Sequence, residues 1–94
     1  MKSILNIDEI RITTQRTRDY FCASFEEKYP EIVWLLLGKI CYDASKGMDH
    51  TTIEINLSMH SLLMYSIKSY LCYKGFQAKI THHNGNNVTY DINW

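Results

Sequence analysis

Four histidines are the residues of this 94-residue chain best suited to proton chemistry near neutral pH: His50, His60, His82 and His83. His60 follows a candidate strand, while His82 and His83 close another. In a parallel arrangement these positions, with Asn56 and Ser58, gather at the carboxyl edge of the strands, where open α/β sheets bind ligands. Asn56, His60 and His82 thus form a candidate site for a small ligand or nucleotide, or for acid–base chemistry on a phosphodiester. The surrounding residues give that chemistry little support. There is no HExxH, no cysteine partner and no carboxylate at ligand spacing, and neither a GxGxxG, a P-loop nor a GxSxG pattern occurs. No catalytic residue, metal or cofactor is assigned, and a non-enzymatic role is expected.

A second cluster is "RITTQRTR", with Arg11, Arg16 and Arg18. These are the candidate phosphate-binding residues for a nucleic acid. On a helix Arg11 and Arg18 share a face, but Arg16 lies about 140° around the axis, so they form no single stripe. A solvated helix with scattered arginines is the expectation, and nucleic acid is the less favoured partner.

The composition agrees. Ten basic and ten acidic residues give a net charge of +0, which lacks the positive field that steers proteins to nucleic acid or anionic membranes. Cys22, Cys41 and Cys72 are odd in number and far apart, as reduced thiols in a cytoplasm would be. "MKSILNIDEI" is too charged for a signal peptide, and "IVWLLLG" is far shorter than a membrane span. A cytoplasmic chain with no membrane partner is expected.

Breaks near Tyr29, Gly47, Ser58, Gly75 and Gly85 divide the chain into six elements of one domain, residues 1–94. Residues 8–28 read as a helix with Ile10, Thr14, Thr17, Phe21 and Phe25 on one face, although "IRITT" also reads as the start of a strand. Pro30 opens a second helix that stops at Gly47. "TTIEINL" alternates as a strand, with Ile53, Ile55 and Leu57 on one side. Ser58 caps a third helix, ended by Gly75, whose inner face is Met59, Leu62, Leu63, Ile67 and Tyr70.

"FQAKITHH" and "NVTYDINW" then form a hairpin. A three-residue loop, Asn84-Gly85-Asn86, matches apolar with apolar: Phe76 with Trp94, Ala78 with Ile92, Ile80 with Tyr90 and His82 with Val88. That register turns His82 inward and His83 to solvent, so the doublet cannot hold one metal. The predicted fold is α+β, ordered α-α-β-α-β-β, with helices on one face of a three-stranded mixed sheet whose first two strands are parallel. The other face carries no aromatic on which bases could stack.

The second helix is apolar nearly all round. Val33, Leu36, Leu37, Ile40 and Ala44 form a core stripe, which leaves Trp34, Leu35, Gly38 and Tyr42 to be covered by the first helix or by another chain. Packing under the first helix is the expectation, because Phe21 and Phe25 also need a neighbour. Were it uncovered, the surface centred on Trp34 and Tyr42 would suit a protein partner or a homodimer.

"ASKGMDHTTIEINL", the capped helix, "YKGFQAKI" and "NVTYDINW" together resemble small accessory proteins of tailed bacteriophages over residues 44–94. Those combine a helix, a strand, a helix closed by a glycine-aromatic pair and a final hairpin closing on a tryptophan. The resemblance implies a host-takeover role, binding a host protein or, in some, sequestering a signalling nucleotide. It carries over no site residues. A phage-encoded modulator of a host protein is therefore the leading functional expectation.

Overall fold

The computed structural model describes residues 6–57 and 63–94. The expected positions of Ser58, Met59, His60 and Leu62 lie outside them. Three helices and three strands follow in the predicted order: α1 (Ile7–Lys28), α2 (Pro30–Ser45), β1 (His50–Asn56), α3 (Leu63–Tyr73), β2 (Gln77–Asn84) and β3 (Asn87–Asn93).

Local chemistry sets most of these limits. The Asn6 side chain accepts the Glu9 N–H at 2.8 Å and caps α1, with Asp8 and Glu9 at the positive end of its dipole. Pro30 excludes Tyr29 from helical geometry, and Tyr29 has φ −129°, so one residue ends α1 and begins α2. Helix α2 stops in a Schellman motif around Gly47, φ +83°. There the Met48 N–H reaches the Asp43 carbonyl and the Gly47 N–H that of Ala44. The same pattern closes α3 at Gly75, φ +102°, with Phe76 bonded to Leu71 and Gly75 to Cys72.

The sheet order is β1-β3-β2, with both pairings antiparallel. This corrects the expected mixed sheet. Because β1 and β2 each run antiparallel to β3, they do share a direction, as the crossover through α3 requires, but β3 lies between them. The burial of each strand accounts for the order. Val88, Tyr90 and Ile92 of β3 are fully enclosed, whereas Ala78 and Ile80 of β2 are half-buried, and the polar "THHN" end of β2 is tolerable only at an edge.

The hairpin register is half as expected. Gln77 to Ile80 face Asn93 to Tyr90 in the predicted pairs, and the Phe76 and Trp94 rings meet edge to face at 6.4 Å. Beyond Ile80 the register shifts by one, so His82 faces Thr89, His83 faces Val88 and Asn84 faces Asn87. The cause is a two-residue turn, Gly85-Asn86, with Gly85 at φ +61°. A glycine with positive φ at the first turn position suits the twist of a hairpin, and the spare residue, Thr81, is taken up in a bulge. His83, not His82, is therefore opposite inward-facing Val88, and both histidines are exposed.

Helix α2 lies against β1, α3 against β2, and α1 against α3 and the start of α2. Three polar ties join these layers. Thr51 Oγ1 donates to buried Asp43, joining β1 to α2. Tyr90 Oη donates to the Met64 carbonyl at 2.7 Å, joining β3 to α3, and Tyr70 Oη donates to Glu26 at 2.6 Å, joining α3 to α1. Leu36, Ile67, Tyr70, Leu71, Tyr90 and Ile92 form the centre of the core.

Candidate docking surface on the second helix

Helix α2 is anchored by one side and bare on the other. Val33, Leu36, Ile40 and Asp43 are buried against the rest of the fold. Opposite them, Trp34 is 83% exposed, Tyr42 58% and Leu35 51%. Spacings of three and four residues align Glu31, Trp34, Leu35, Gly38, Cys41 and Tyr42 in a stripe about 120° wide, the width of a packing face. Shallow grooves flank the indole, one lined by Pro30, Glu31, Trp34 and Leu35, the other by Val33, Trp34, Leu37, Gly38 and Cys41. At the carboxyl end, Lys46 Nζ sits 4.2 Å above the Tyr42 ring.

The expected cover, α1, is directed elsewhere. The Phe25 ring stacks on Tyr70 at 4.7 Å, and Phe21 meets Tyr73 edge to face at 5.4 Å. These contacts commit the last two turns of α1 to α3. Cys22, absent from the predicted face, is buried there too. Residues 7–20 are exposed throughout, including Ile10, Thr14 and Thr17 of the predicted apolar face, and Tyr20 is 76% exposed. Packing of Trp34 and Tyr42 beneath α1 is thus corrected: the aromatics of α1 pack on Tyr70 and Tyr73 of α3 instead.

The other candidate residues do not converge. Arg11, Arg16 and Arg18 all lie on the exposed part of α1, where Asp8, Glu9 and Asp19 are interspersed. Arg18 is engaged, its guanidinium carbon 5.2 Å from the Tyr73 ring centre. Asn56 pairs with Asn87 on one edge of β3 and His82 with Thr89 on the other, so β3 separates them by about 10 Å. An antiparallel sheet of this order offers no crevice between β1 and β2, which removes the geometric basis for grouping them. His60 lies outside the described residues. Among the described residues no three or more His, Cys, Asp or Glu side chains are placed to hold a metal, and no helix is long and apolar enough to cross a membrane.

Four groups with displaced pKa values belong to the layer ties. The Tyr70 hydroxyl, then Lys74 at 3.0 Å, hold Glu26 below the usual carboxylate value. The Thr51 hydroxyl, then Lys39 at 3.3 Å, do the same for Asp43. Tyr70 and Tyr90 are pushed the other way by burial. Each of these groups binds one element to another, so the perturbation is accounted for by the fold.

Three residues of the bare face are not among those expected from the sequence, Glu31, Cys41 and Lys46. Helical spacing from Trp34 and Gly38 was the available signal for Glu31 and Cys41; Lys46 joins because its ammonium lies over Tyr42. Compared with protein-family models, curated proteins and solved structures, the chain matches none.

Proposed function

We propose that the chain is a non-enzymatic protein-interaction module that docks through the outer side of α2, with Trp34, Leu35, Gly38 and Tyr42 at the centre of the surface. The observation that carries this reading is Trp34 at 83% exposure on a helix whose other side is fixed in the core. A large side chain held on a rigid element loses little conformational freedom when it is covered, and tryptophan and tyrosine dominate the energetics of protein interfaces. The resemblance to phage accessory proteins makes a host protein the expected partner and modulation of that protein the expected outcome.

The test is site-specific photo-cross-linking in bacterial cells, with the reactive residue replacing Trp34 or, as a control, Glu54 on the open sheet face. Discrete adducts from position 34 and none from position 54 are expected. Equal labelling at both positions, or no adduct at 34, refutes the docking surface.

A further inference from the structure

We infer that the resting partner of this surface is a second copy of the chain, with two α2 helices crossing antiparallel at Gly38. The inference rests on the docking reading above and names its occupant; any other protein would then compete with self-association.

Charge is the first argument. The bare stripe carries a carboxylate at one end, Glu31, and an ammonium at the other, Lys46, with only uncharged residues between them. The remaining α2 charges, Lys39 and Asp43, are paired with each other at 3.3 Å. Antiparallel crossing sets Glu31 of each copy against Lys46 of the other, so one two-fold axis makes two favourable pairs and opposes the helix dipoles. A parallel pair would place like charges together.

Shape gives the second. In an antiparallel pair, residues equally far from the crossing point meet. Gly38 has Trp34 four residues before it and Tyr42 four after, so crossing at Gly38 packs each indole on the phenol ring of the other copy. The fold itself gives no reason for glycine here: a Cβ at Gly38 would meet nothing within 4 Å, and glycine inside a helix costs about 1 kcal/mol relative to alanine. Close approach of a second helix backbone supplies a reason.

The exposed area sets the strength. Trp34, Leu35 and Tyr42 offer on the order of 400 Å² between them, well short of the ~800 Å² per partner of a standard interface. The dimer is therefore weak, with Kd of ~10 to 100 µM.

The experiment is sedimentation equilibrium of the full chain from about 5 to about 500 µM, which spans that range. The average mass should rise from one chain towards two. Gly38→Leu should weaken association at least ~10-fold while leaving the melting temperature unchanged or higher, since the side chain has room in the monomer. Glu31→Lys and Lys46→Glu should each weaken it about 10-fold by setting like charges together, and the double variant should restore it. Should Gly38→Leu unfold, the exposed charge reversals carry the test alone.

A single-chain mass throughout the range overturns the inference, as does a folded Gly38→Leu chain that dimerises like the wild type. Failure of the double reversal to restore association overturns the antiparallel pairing. A monomer whose position 34 still cross-links to another protein leaves the docking surface standing without the second copy. A monomer with no cross-link at that position refutes both.

Discussion

Leu36 and Trp34 stand two residues apart on α2; the first is 0% exposed and the second 83%. The inner and outer sides of this helix are both apolar, and spacing marks the inner stripe without recording what will cover the outer one. What differs is the neighbour. The inner side meets β1, where Thr51 bonds Asp43 and Ile53 and Ile55 supply the opposing surface. The outer side is left exposed, while the aromatic residues of α1 pack on Tyr70 and Tyr73. Hydrophobicity measures a tendency to be covered; only the arrangement of other segments determines which tendency is satisfied within one chain. The unsatisfied side is where a partner gains most.

The contrast can be broken or sharpened by mutation. The largest effect is expected from Leu36→Ala, which should cost about 2 to 5 kcal/mol in chemical denaturation, through lost burial and the cavity left behind. Tyr70→Phe should cost about 1 kcal/mol by removing the bond that ties α3 to α1, and its thermal melt should remain cooperative. Arg18→Ala should cost about 0.5 kcal/mol, the worth of an exposed cation over the Tyr73 ring. Trp34→Ala should change folding stability by less than ~0.5 kcal/mol, as for an exposed site away from structural features. A loss at Trp34 approaching that at Leu36 would erase the distinction between the two sides.

Acid unfolding examines the inner side from another direction. Glu26 and Asp43 have folded pKa values below their ordinary 4.5 and 3.8. Their contribution is therefore fully present above those values and is lost as pH falls through the depressed ones. Melting temperature should hold steady from neutrality to about pH 5 and then decline. Glu26→Gln and Asp43→Asn should each lower the plateau and flatten the decline. A pH profile unchanged by Asp43→Asn would detach that carboxylate from the α2–β1 tie.

Much of the fold was legible because its signals are local. Pro30 fixes the junction of two helices through its ring, Gly47 and Gly75 accept the positive φ that ends a helix, and alternation in "TTIEINL" marks the buried side of β1. The stretch "IRITT", readable as strand or helix, is helical behind the Asn6 cap. At the hairpin, apolar matching is enough to pair Ala78 with Ile92 and Ile80 with Tyr90 but not to set the register past Ile80. Two solutions bring those core pairs into register, a three-residue loop or a two-residue turn with a bulge. The difference lies in the geometry of Gly85 and not in apolar matching.

The candidate site was half legible for a related reason. Trp34, Leu35, Gly38 and Tyr42 were marked by lying off the core stripe, a property of spacing. Whether α1 would cover them depended on competition between remote surfaces, Trp34 and Tyr42 against Tyr70 and Tyr73, for the rings of Phe21 and Phe25. Grouping Asn56 with His82 likewise depended on which strands are neighbours.

By itself the sequence determined the order of the elements, the inward face of β1 and the α+β class, since each follows from the preferences of residues close together in the chain. Tertiary structure alone decided that β3 sits between β1 and β2, that α1 packs on α3, and that Trp34 is left bare. Those outcomes depend on contacts between distant segments, and periodicity records which side of an element is apolar without recording what will meet it.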